Sequence, residues 1–135
     1  VTNLLAALTT KTTGSTLATL TGGRIYTDEA PAGAAFPYVV LSIISTVPEY
    51  PANKTIENVL IQFSLVSTSP GLAEIGALLA ALRALYDDAS LTITDSTLVY
   101  CIRESFGAFT MEAATPSGTT TIRQWTQDYS LATVS

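Results

Sequence analysis

Val59, Ile61, Phe63 and Leu65 fall on alternate positions of one short run, with Leu60, Gln62, Ser64 and Val66 between them. Successive side chains of a strand point to opposite faces, so this spacing predicts a β-strand with one better-buried face. Upstream, Tyr38-Val39-Val40-Leu41-Ser42-Ile43-Ile44 is continuously apolar and rich in β-branched residues, which predicts a strand covered on both faces or at the sheet centre. Pro48 and Pro51 close that run, and the loop Glu49 to Thr55 joins it to the next, so the two read as an antiparallel hairpin.

The next signal has a different period. Leu72, Ile75, Leu78, Leu79, Leu82, Leu85 and Tyr86 recur at helical spacing, behind Ser69-Pro70 as cap and first-turn proline and with Glu74 near the start. A helix from about Pro70 to Tyr86 is expected, lying across one face of the sheet. Gly76, Ala77, Ala80, Ala81 and Ala84 keep its other faces thin enough for close approach by a neighbour. At the N-terminus, Leu4, Leu5 and Leu8 among threonines predict a helix of about two turns. Gly14 interrupts it, a looser turn follows, and Gly22-Gly23 ends the segment.

Arg24-Ile25-Tyr26 reads as a short strand and Asp28 to Pro37 as a loop. Leu91 to Ile93 is a short run, Leu98 to Ser105 an alternating strand, and Ile122 to Val134 a last strand on which Trp125, Tyr129 and Leu131 share a face. Phe106 to Thr121 carries Gly107, Pro116, Gly118 and a threonine triplet, and reads as a long connection or an extended hairpin tip. The fold class expected is α+β: a mainly antiparallel sheet of about four to five strands, an N-terminal helix and one long helix. At 135 residues the chain has the size of one domain.

The chain has no histidine, and so lacks the usual general base and the commonest zinc ligand. Cys101 is the single cysteine; it can form no intrachain disulfide, sits in an apolar alternating run, and fits a buried thiol in a reducing cytoplasm. The pairs Asp28-Glu29 and Asp87-Asp88 lie at element ends as solvated loop acids do, without calcium-loop spacing. No glycine cluster matches a phosphate-binding fingerprint. Lys11 and Lys54 read as surface residues. These features exclude the common catalytic and cofactor sites, and the expectation is a protein that is not an enzyme and holds no cofactor or metal.

Only 13% of the residues are charged, against about a quarter in ordinary soluble proteins. A surface so poor in charge touches other protein. Six basic residues against eleven acids give a net charge of -5 and no basic face for gripping phosphates. The apolar runs fall short of the ~18 to 20 residues of a spanning helix. Phe106, Phe109 and Met111 must find cover, either in the core or at a subunit contact.

Read in order, the leucine-bearing helix, Gly-Gly-Arg-Ile-Tyr, an acidic-Pro loop, Ala-Phe-Pro-Tyr-Val-Val-Leu, the strand Val59 to Ser67 and the Ala/Leu-rich helix ending at Tyr86 resemble the tail-completion or tail-terminator proteins of long-tailed bacteriophages. The resemblance covers Gly23 to about Tyr100. It implies a structural virion subunit, assembled in the bacterial host cytoplasm, that forms a ring, commonly of six, at the head-proximal end of the tail. Its partners would be copies of itself, the tail-tube protein and a neck or head-tail connector protein, with DNA passing through without specific binding and no membrane involved.

On this sequence the candidate contacts with neighbouring subunits, tube or neck are Glu49, Tyr50, Lys54, Phe106, Phe109 and Met111. Six copies at -5 each would carry about -30, and with Glu49, Glu57, Glu104 and Glu112 as candidate lumen acids the channel would repel passing DNA. The competing readings are another head-tail connector or stopper of the neck, and a monomeric ligand-binding module with the long connection as its lid.

Overall fold

The computed structural model describes residues 2–116 and 118–135. Helices α1 (Thr2–Thr12) and α2 (Thr16–Thr21) lead into strands β1 (Ile25–Thr27), β2 (Tyr38–Glu49) and β3 (Ile56–Ser67). Helix α3 (Ala73–Tyr86) follows, then β4 (Thr92–Ile93), β5 (Ser96–Thr115) and β6 (Gly118–Val134). The strands form one six-stranded sheet in the order β1-β2-β3-β6-β5-β4. The α+β reading holds in outline, but the sheet has six strands rather than four to five and is mixed. Residues 25–27 run parallel to 39–41, while every other pair is antiparallel.

The β2–β3 hairpin is present, with Leu41 opposite Phe63 and a bulge after Ile43. Alternation along β3 sends Val59, Ile61, Phe63 and Leu65 to the helical face, all essentially sealed from solvent. In register beside them on β6 stand Leu131, Tyr129, Gln127 and Trp125. From the helices come Leu4, Leu8, Leu17, Ile75, Leu78, Leu82 and Tyr86, completing one core. The other face of the sheet carries no helix, so β2 is covered on one face only.

Two helix boundaries differ from expectation, each for a local reason. Gly14 (φ 74°) does break the first helix, but Ser15 restarts it: its hydroxyl accepts the Ala18 N–H at 3.2 Å, capping α2 where a loose turn was expected. Gly22 and Gly23 then end α2, with the Gly23 N–H donating back to the Ala18 carbonyl at 2.8 Å. Helix α3 begins at Ala73 rather than Pro70, because Gly71 takes a left-handed φ of 78° between them. Ser69 is therefore no cap, and Glu74 instead accepts the Ser67 hydroxyl at 2.6 Å.

Gly76 lies inside α3 with open space where a Cβ would stand. A glycine in a helix interior costs roughly 0.5–1 kcal/mol relative to alanine. Gly76→Ala is expected to raise the unfolding free energy by about that much in urea titration. A destabilised variant would show that the backbone here is not free to accept a side chain.

Three ionisable groups are sealed in the core. Burial pushes the Cys101 thiol up to about 11, and pushes the Tyr86 and Tyr129 phenols well above their ordinary value, with Asp87 adding to the effect on Tyr129. The protonated form is favoured by folding in each case. Stability is therefore full below the unfolded-state values, about 8.5 for cysteine and 10 for tyrosine, and is lost as pH rises through the folded ones. Between pH 9 and 11 the loss should approach about 1.4 kcal/mol per pH unit for each group ionised only in the unfolded chain. Urea midpoints at pH 7.5, 9 and 10.5 measure it, and a flat profile would mean that these groups reach solvent.

Candidate assembly surfaces

Residues 106–121 form no loose connection. Apart from Ser117, outside the described residues, they continue β5 and β6 as a ladder that runs to Thr115↔Gly118. Strand β3 stops pairing at Ser67↔Arg123, and Arg123 pairs with Thr110. Beyond that rung, the ladder of 111–115 with 118–122 continues without β3 beside it. At about 3.3 Å per residue it makes an arm that projects roughly 17 Å past β3.

Phe106, Phe109 and Met111 are each about half exposed, so core packing is not their role in the folded chain. They do not form one patch. Phe106 lies on the helical side, edge-on to Trp125 at 5.4 Å between ring centres, with the Arg83 guanidinium 5.6 Å from its own. Phe109 and Met111 pair with Gln124 and Ile122 on the helix-free side. There Met111 and Ile122 help to line a groove of about 340 Å³ with Tyr38, Val40 and Val66.

Within the sheet, five rungs before the arm begins, lies a polar cluster that sequence reasoning missed. The β5–β6 register shifts between Arg103 and Phe106, leaving Glu104 and Ser105 bulged. Gln127, fully buried, fastens this bulge. Its Nε2 donates to the Ser105 carbonyl at 3.0 Å, and its Oε1 accepts from Arg83 Nη2 at 2.8 Å and Nε at 3.2 Å. On the opposite face the Ser105 hydroxyl donates to Asp128 at 2.7 Å, which also accepts from Gln62 at 3.0 Å. The available signal was a polar residue at an inward position between Trp125 and Tyr129. Gly107 follows the bulge, and a Cβ there would stand 2.9 Å from the Thr126 hydroxyl.

Asp87 is likewise no loop acid in solvent. It accepts the Tyr129 hydroxyl at 2.6 Å and pairs with Arg103 at 3.0 Å, tying the end of α3 to β5 and β6. Among the described residues no three acid or cysteine side chains stand close enough to hold a metal ion. No helix of the described residues is long and apolar enough to cross a membrane.

At the other end of the sheet, the β2–β3 turn presents Glu49, Tyr50 and Lys54 to solvent, with Tyr50 76% exposed. Ala52 and Asn53 take left-handed conformations to close it. Arg24, Arg83, Arg103, Arg123 and Lys11 all bond within the chain, whereas Lys54 is the one cation among the described residues with no partner.

The sequence matches the family described as "Tail completion protein gp17" over residues 2–127. The chain belongs to this tail completion family. With membership comes a structural role in the phage tail and a place in the virion. A chain of "Virion of native gene transfer agent (GTA) particle" shares the fold, with a TM-score of 0.81 at 19% identity over 98% of this chain and 95% of that one. No curated protein matches the sequence.

In this tail completion protein the four candidate lumen acids are not brought together. Glu49 and Glu57 flank the β2–β3 turn on opposite faces, Glu104 sits in the bulge, and Glu112 lies on the arm. The β6 neighbours of Glu57 and Glu112 are Thr133 and Thr121, so about 40 Å of strand separates them. The six candidate contact residues divide in the same way, three at the turn and three on β5.

Proposed function

We propose that this single-domain tail completion protein is a subunit of a closed homo-oligomeric ring, of six copies, at the head-proximal end of the tail. There it ends tail-tube polymerisation and joins the tube to the neck. The observation that carries the reading is the family match across residues 2–127. The geometry supports it in kind: a closed ring needs two different patches on each subunit, and this chain offers the β2–β3 turn and the β5–β6 arm on opposite ends of one rigid sheet. Glu49, Tyr50 and Lys54 are the proposed contacts at one end, and Phe106, Phe109 and Met111 at the other. Glu49, Glu57, Glu104 and Glu112 would line a channel together only if the ring axis runs along the strands, where they would repel DNA over its height. The neck-facing partner is a head-tail connector protein, and DNA passes without being gripped.

Deletion of the gene tests the assignment. Tails that are overlong or unattached to heads are expected, and joined tails of normal length would refute it. A stopper or connector of the neck would instead leave tails of normal length, and the purified protein would bind filled heads rather than tube ends.

A further inference from the structure

The sheet has two open edges. Strand β4 pairs with β5 only at Ser96 and Thr97, and the Cys101 carbonyl takes the Asp88 N–H, so among the described residues β5 runs without a strand on its outer side from Ile102 to Thr115. Strand β1 covers β2 only at Val39–Leu41, and the Leu41 carbonyl takes the Asp28 N–H, so β2 runs unpaired from Ser42 to Glu49. An open strand is a row of unmet backbone donors and acceptors, and proteins ordinarily blunt it with lysine, proline or a cover. The β5 run contains neither residue, and its strand exposes Val99, Ile102, Phe106, Phe109 and Met111, while the β2 run has one proline, Pro48, next to its end.

We infer that neighbouring copies join by strand pairing, with the β5 edge from Phe106 to Glu112 of one copy alongside the β2 edge from Ile43 to Glu49 of the next; this rests on the ring reading above. The two segments are equal in length, at seven residues each. Val47, opposite Asn58, shares the helix-free side with Phe109 and Met111, opposite Gln124 and Ile122, while Phe106 lies on the helical side. Charge selects the partner. Arg103 is held by Asp87, which leaves Glu104 and Glu112 as the uncompensated charges of the β5 edge. Two β5 edges paired antiparallel about Ala108, the midpoint, would set each Glu104 against a Glu112, and like charges directly opposed destabilise a strand pair. The β2 end instead sets the free cation Lys54 against Glu49 and Glu57, one net negative charge where a second β5 edge would bring two. Pairing unlike edges is head-to-tail, which generates a ring.

Cross-linking tests this in the full chain. Val47→Cys is combined in turn with Phe109→Cys and Met111→Cys, same-face positions that bracket the possible registers. Within one copy β2 and β5 are three strand spacings apart, about 14 Å or more, so any disulfide joins two copies. Cys101 is fully buried and gives no background. Oxidation should give a covalent ladder beyond the dimer from a double variant and none from the single ones. Dimers from Phe109→Cys alone would mean symmetric β5 pairing and overturn the inference. If the protein forms rings by solution mass or on tail tubes but neither double variant cross-links, edge pairing is wrong while the ring stands. If it assembles neither in solution nor on tubes, both fail. As an independent variant, Phe109→Lys should weaken assembly at least tenfold with its thermal midpoint unchanged, and normal assembly would also count against the inference.

Discussion

Replacing Phe63 by alanine is expected to lower the unfolding free energy by about 3–5 kcal/mol, the range for deleting a large ring from a packed core. Phe63 is sealed at the centre of β3, between Leu41 and Gln127 in the adjoining strands. Its ring lies 4.7 Å from that of Tyr86 and 6.0 Å edge-on from that of Tyr129. What places the effect high in the range is that neither neighbour can fall into the hole. The Tyr86 hydroxyl donates to the Leu8 carbonyl at 2.7 Å and the Tyr129 hydroxyl to Asp87 at 2.6 Å. Moving either ring would break a buried hydrogen bond, so the cavity stays open and its cost is not recovered by collapse. Domains have only about 5–15 kcal/mol in total. Urea titration should therefore show a midpoint shifted by about a fifth or more, while Phe109→Ala, at a half-exposed position of the helix-free face, stays within about 0.5 kcal/mol. A loss below about 1.5 kcal/mol for Phe63→Ala would mean that the aromatic trio repacks.

The parts of the fold legible in the sequence are those whose signal is local. Alternation at Val59–Leu65 and helical spacing at Ile75–Tyr86 each report a face turned to the core, and those faces are the core. Trp125, Tyr129 and Leu131 were placed correctly on one face for the same reason. Pairings set across the chain were not legible. Nothing in Ile25–Thr27 says that it will lie parallel to β2, and nothing in two residues at Thr92–Ile93 marks a sixth strand. Of the two readings of residues 106–121, a long connection or an extended hairpin tip, the second holds, and the first stayed open because glycine, proline and threonines usually mean a loop. The alternation of Phe109 and Met111 with Ala108 and Thr110 was nevertheless that of a strand, and an arm beyond the sheet needs no buried face to reveal itself. Of the proposed assembly surface, sequence named exposed residues; it could not show that they divide between the β2–β3 turn and the outer strand β5, since that division exists only once strand order is known. Asp87 and Gln127 escaped because their partners, Tyr129 and Arg83, lie more than forty residues away in sequence.

Gln127 is where fold and assembly meet, and Gln127→Leu should separate them. Leucine fills the space but leaves the Ser105 carbonyl without its donor and Arg83 without its acceptor. A carbonyl left unmet away from water costs about 1–3 kcal/mol, and the exposed position of Ser105 puts this one at the low end. Arg83 is partly exposed and can turn to water, so it adds little, and a total of about 1 kcal/mol is expected from urea titration. The larger effect should fall on function. A bulge bends and twists the strand that carries it, so the one at Glu104–Ser105 would influence the direction of β5 toward the arm, and Gln127 binds that bulge to α3 through Arg83. Gln127→Glu distinguishes the two ties. Its carboxylate still accepts from Arg83, now as an ion pair, but has no N–H for the Ser105 carbonyl. If the arm must be aimed, both variants should remain folded yet fail to complete tails in a complementation assay scored by electron microscopy, with glutamate the more stable of the two. Folded Gln127→Leu protein that restores normal tails would show that the arm finds its angle from its partner instead. The clamp would then be an element of stability alone, and the open edge of β5 would have to select its neighbour without a preset direction.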